Sequence, residues 1–78
     1  MKLMSTDMYK AYAINQVNKA SSRDEKLFWL LAEERHLTRE ATKYSRENPD
    51  KATDILLNYL SRLTFVRREM EKYQTVLA

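Results

Sequence analysis

The chain has 78 residues, with no cysteine, no glycine, one proline and one histidine. That excludes disulfides, thiolate metal sites and glycine-rich phosphate loops, and it allows one domain whose lone core buries only roughly 60% of its unfolded surface. A formal net charge of +3, with 44% hydrophobic and 32% charged residues, fits a soluble folded domain and suits an acidic partner without requiring one.

A first helix is predicted over 7–19, after the capping oxygens of Ser5-Thr6-Asp7. Its apolar residues Met8, Tyr9, Ala11, Tyr12, Ala13, Ile14 and Val17 wrap most of the circumference. Such a helix is either packed on two sides or partly mobile. Ser22 and Glu25 form an S-x-x-E capping box that opens a second helix over 23–47. Asn48-Pro49-Asp50 then reads as a stop and restart, with Asn48 as N-cap, Pro49 at the first helical position and Asp50 against the positive helix end. A third helix is predicted over 49–77.

The third helix carries an a/d seam: Ala52, Leu56, Tyr59, Leu63, Val66, Met70, Tyr73 and Leu77 alternate at steps of four and three. Leu27, Leu30, Glu34, Leu37, Ala41 and Tyr44 repeat the pattern on the second helix, with one polar break. A link this short makes the two long helices antiparallel. Folding at Asn48 sets Tyr44 near Ala52, Ala41 near Leu56, Leu37 near Tyr59, Glu34 near Leu63, Leu30 near Val66 and Leu27 near Met70. The expected fold is all-α: residues 1–78 form a single domain, a short N-terminal helix plus a long antiparallel hairpin, making a helical bundle alone or as a dimer.

Two seams do not use all the apolar surface. Phe28, Trp29, Leu31, Ile55, Leu57, Leu60 and Phe65 fall outside them. Burying a large side chain is worth about 1.5–3 kcal/mol, so a cover is expected. It is helix one, with Tyr9, Tyr12, Ile14 and Val17 as its inner side, or a second copy of the chain, or another protein's amphipathic helix. Glu34, at a seam position, is expected to reach Arg62, Arg67 or a residue of a partner and fix the register. His36 is expected to face solvent.

Arg35, Arg39, Lys43 and Arg46 are spaced by four, four and three and form a basic stripe on helix two. The stripe is either a solvated face or a contact for nucleic acid or an acidic partner; interspersed glutamates and the lack of helix-turn-helix spacing weigh against nucleic acid. No nucleophile–base pair, metal cluster or phosphate loop can be assembled, so neither catalysis, nor a cofactor, nor a metal is expected. No apolar run reaches the roughly 18 residues of a membrane span, and Met1-Lys2-Leu3-Met4-Ser5 lacks the apolar stretch of a secretory signal. A cytoplasmic setting is expected.

The stretch Tyr9-Lys10-Ala11-Tyr12-Ala13-Ile14-Asn15-Gln16-Val17-Asn18-Lys19-Ala20-Ser21 resembles the opening of the bacterial flagellar secretion chaperones that bind flagellin before export. That family begins Y-x-A-Y-x-x-N-x-V-N-x-A, then Ser or Thr and Pro, ahead of a leucine-rich helix. Ser22 stands here in place of the proline, and the family folds as a longer bundle. The resemblance implies that Tyr9, Tyr12, Ile14 and Val17 form a movable lid over a groove of Leu27, Leu30, Leu31, Phe65 and Val66; the surplus residues Phe28 and Trp29 are expected to join them in binding a partner. It implies a small cytoplasmic chaperone or adaptor that binds an amphipathic helix, flagellin being the named candidate. The alternative expectation is a homo-oligomeric helical-bundle regulator, of phage or plasmid type, that binds a cytosolic protein or nucleic acid through the basic stripe.

Overall fold

A computed structural model describes residues 5–49 and 53–74 of the chain. They form α1 (Thr6–Lys19), α2 (Arg23–Glu47) and α3 (Thr53–Gln74), with no strand among the described residues. Each start that can be seen is capped as its sequence dictates. The Ser5 hydroxyl accepts from the Met8 amide at 3.2 Å, and the Ser22 hydroxyl accepts from the Glu25 amide at 3.1 Å. The second half of the Ser22–Glu25 box is shifted by one residue. The Glu25 carboxylate accepts from the backbone amide and the hydroxyl of Ser21, at 3.1 and 3.0 Å, instead of from the Ser22 amide.

The α2–α3 turn corrects the sequence reading. Asn48 ends α2 instead of starting α3: its amide and its side-chain Nδ2 both donate to the Tyr44 carbonyl, at 2.9 and 3.2 Å. Asparagine serves either role because its side chain reaches nearby backbone groups in both directions. Pro49 lies in the turn and not in a helix. The expectations for Asp50, Ala52 and Leu77 lie outside the described residues.

The seams pack as the heptads require. Leu30, Leu37 and Ala41 of α2 and Tyr59, Leu63, Val66 and Met70 of α3 are buried, with Leu27, Tyr44, Leu56 and Tyr73 packed around them. Two contacts fit the predicted register at its ends. The Arg23 guanidinium donates to the Tyr73 carbonyl at the open end, and Ala41 and Leu56 line one recess near the turn. Between them Glu34 meets Arg67 at 2.8 Å, one of the partners expected for a carboxylate in an apolar seam.

On one side of the hairpin lies α1. Its buried row is Tyr9, Ala13 and Val17, a single i, i+4 ridge. Two backbone carbonyls at its C-terminal end, those of Val17 and Ala20, accept from the Lys26 ammonium at 2.8 and 3.0 Å, so a cation on α2 satisfies the negative end of α1. The Cα envelope measures 44 × 24 × 15 Å. Two packed helix layers are about 13–15 Å thick in Cα terms, so the hairpin is one layer and α1 the other. None of the described helices lies on the far side of the hairpin.

Candidate protein-binding surface

The covered side is built around an arginine. Arg62 is 8% exposed, and its guanidinium stacks 4.7 Å from the centre of the Tyr9 ring and 6.0 Å from that of Tyr59. Its Nε donates to the Asn58 Oδ1 at 2.7 Å. The Tyr9 hydroxyl donates to Glu33 at 3.0 Å. Burial and then the Glu33 carboxylate push the Tyr9 phenol far above its ordinary range, with Arg62 opposing weakly. Further along, the Tyr12 ring meets Trp29 edge-on at 6.1 Å, and the Lys10 ammonium stands 5.9 Å from the Phe65 ring.

The residues expected to form a lid therefore divide. Tyr9 and Val17 point inward as expected, Tyr12 leans on Trp29 at the rim, and Ile14 faces away with 43% of its surface exposed. Ala13, which the sequence reading did not single out, is fully buried: a residue this small lets the helix axes close up where α1 crosses the hairpin. The expected groove divides too. Leu30 and Val66 are sealed between α2 and α3, Phe65 lies toward α1, and Leu31 is left on the opposite side. A helical period of 3.6 places residues 30 and 31 about 100° apart, so one helix face cannot present both.

Apolar surface remains exposed on α1 itself, at Met8, Tyr12 and Ile14, and on the hairpin away from α1. Leu31 is 38% exposed, Leu60 47%, Leu57 58% and Phe28 75%. Leu31 of α2 and Leu56 and Leu60 of α3 lie toward the inter-helix groove by their spacing, while Phe28 and Leu57 lie on the outward faces of α2 and α3. Two shallow recesses, each about 410 Å3, run along this groove. One is lined by Glu34, Arg35, Thr38, Arg39 and Arg67, the other by Ala41, Thr42, Ser45, Arg46 and Leu56. A third recess on the outer face of α2 is lined by Phe28, Leu31, Ala32, Arg35 and Arg39.

The basic stripe is exposed along its length but is not one surface. Arg35, Arg39 and Arg46 border the open groove, whereas Lys43 lines a recess with Glu40, Tyr44, Glu47 and Tyr59 on the side of α2 that leads toward α1. His36 is exposed, as expected. Among the described residues no group of three or more His, Cys, Asp or Glu side chains is placed to hold a metal ion. No described helix is long and apolar enough to cross a membrane. No family model matches the sequence, and no curated protein and no solved structure matches the chain.

Proposed function

We propose that this chain is a small helical adaptor or chaperone that binds an amphipathic helix of a partner protein. The observation that carries this reading is the apolar surface that remains after α1 has docked, above all Leu31 and Leu60 along one inter-helix groove. A groove between two antiparallel helices is shaped to take a third helix, because ridges of side chains enter the grooves of their neighbours. The docking of α1 on the other side shows this hairpin accepting a helix through one short ridge. The resemblance of residues 9–21 to the flagellar secretion chaperones makes the C-terminal helices of flagellin the first ligand to test.

The test is a titration of a labelled flagellin C-terminal peptide, and of unrelated amphipathic helices, with the full-length chain to high micromolar concentration. Saturable binding of the flagellin peptide alone is the expected result. Saturable binding of another helix instead would keep the adaptor reading and remove flagellin from it. Flat titrations with every helix would end the adaptor reading.

A further inference from the structure

Between residues 33 and 47 of α2, three glutamates and three arginines follow different edges, and this separation bears on what the open groove takes. Glu33, Glu40 and Glu47 recur every seven residues along one edge of α2, the edge that meets Tyr9 and, nearer the turn, Tyr59. Arg35, Arg39 and Arg46 follow the other edge, and Arg67 faces them from α3. Glu34 lies in the same stretch of groove and pairs with Arg67 at 2.8 Å, which leaves Arg35, Arg39 and Arg46 as its net positive charge. Leu31 toward one end of the groove, and Leu56 and Leu60 nearer the turn, thus lie beside positive charge, with a polar stretch of groove between them.

We infer that the open groove recognises an acidic amphipathic helix: an apolar stripe that seats on Leu31, Leu56 and Leu60, flanked by Asp or Glu that meet Arg35, Arg39 and Arg46. This rests on the adaptor reading and specifies its partner. Two other occupants fit less well. A second copy docked groove to groove would bring two arginine-bearing faces together, while the chain's own Glu33, Glu40 and Glu47 lie on the other edge. A nucleic-acid backbone would answer the arginines but leave the leucines between them wet. Arginine suits the role because its planar fork pairs with carboxylates two bonds at a time.

The experiment uses three designed helical peptides with one leucine stripe, flanked by Glu, Gln or Lys, titrated by fluorescence anisotropy into the full-length chain. The Glu peptide is expected to bind roughly tenfold or more tighter than the Lys peptide, as a few exposed charge pairs allow. That preference should shrink with salt, reverse in Arg35→Glu/Arg39→Glu, and disappear with all binding in Leu60→Asp. Leu60 is exposed enough for that change to leave the core intact, which circular dichroism checks. Equal affinity for the Glu and Lys peptides would overturn the acidic assignment while keeping the adaptor reading. Binding that survives Leu60→Asp would place the seat elsewhere and overturn the inference. Competition by duplex DNA at the same arginines, indifferent to Leu60→Asp, would overturn it in favour of a phosphate backbone. Failure of all three peptides would overturn the adaptor reading itself.

Discussion

Tyr9 joins α1 to the hairpin through one hydroxyl and one ring. The hydroxyl donates to Glu33 and the ring lies under the Arg62 guanidinium, so a single residue carries both a polar and a stacking contact across the α1 interface. Tyr9→Phe keeps the ring and leaves the half-buried Glu33 carboxylate short of a donor. The expected loss is about 1.5 kcal/mol, the lower end for hydrogen bonds to charged groups, read from urea unfolding. The phenol also sets an alkaline limit. Its folded pKa lies far above its ordinary value of 10.0 because burial and Glu33 hold the proton on. The native state therefore binds this proton more tightly than the unfolded state does. Stability is unaffected below about pH 10, and above it falls as the unfolded state gains from ionising. Tyr9→Phe should remove this part of the alkaline slope, whereas an unchanged slope would assign it to other tyrosines and lysines. Arg62 was harder to foresee. In the sequence it is one of several helix-three cations, and its burial depends on Tyr9 and Tyr59 arriving from different elements to form its walls.

The helix caps test how local rules survive in the folded chain. Ser22→Ala removes the hydroxyl that satisfies the Glu25 amide and should cost about 1 kcal/mol, with faster hydrogen exchange of the first α2 amides as its local signature. An unchanged exchange rate would mean that Ser21 and Glu25 hold the helix start by themselves. Glu25 adds a sign that can be checked. Its bonds from Ser21 keep its carboxyl below its ordinary value, so its contribution is present at neutral pH and fades as acid titrates it. At this scale the sequence says most. Helix α2 was predicted over 23–47 and is found there, because a cap, a heptad and a proline-containing stop all speak to the same boundaries. Asn48 was misassigned because its side chain caps either helix end, and local pattern alone does not say which carbonyl or amide is near. The placement of α1 was less readable still. Apolar residues on most of its faces left the inward ridge open, and Ala13, the residue that lets it approach, carries almost no hydrophobic signal. Likewise the sequence marked Phe28, Trp29, Leu31 and Phe65 as surplus, but whether each lay under α1 or on the far side depended on how the third helix crossed the hairpin.

Across the whole molecule, the two-layer build leaves leucines exposed on one side of the hairpin with Arg35, Arg39 and Arg46 beside them. The combination sets how copies of the chain behave toward one another. At low ionic strength the facing arginines of two open grooves repel, and the 9.3 kDa chain should remain monomeric despite Leu57, Leu60 and Phe28 at its surface. Screening shortens the reach of that repulsion from about 30 Å at 0.01 M salt to about 3 Å at 1 M, while the pull between leucine faces is not weakened. Self-association should therefore rise with salt, the reverse of a dimer held by ion pairs. Sedimentation equilibrium at low and high salt reads this directly, and Leu60→Asp should abolish the high-salt association. A dimer that is tightest at low salt would mean that opposite charges meet across it, which requires the Glu33–Glu40–Glu47 edge of one copy to lie on the arginine edge of another. A mass independent of salt up to millimolar concentration would mean that the leucines are too few to associate by themselves, and that an acidic partner helix must supply the attraction through the arginines.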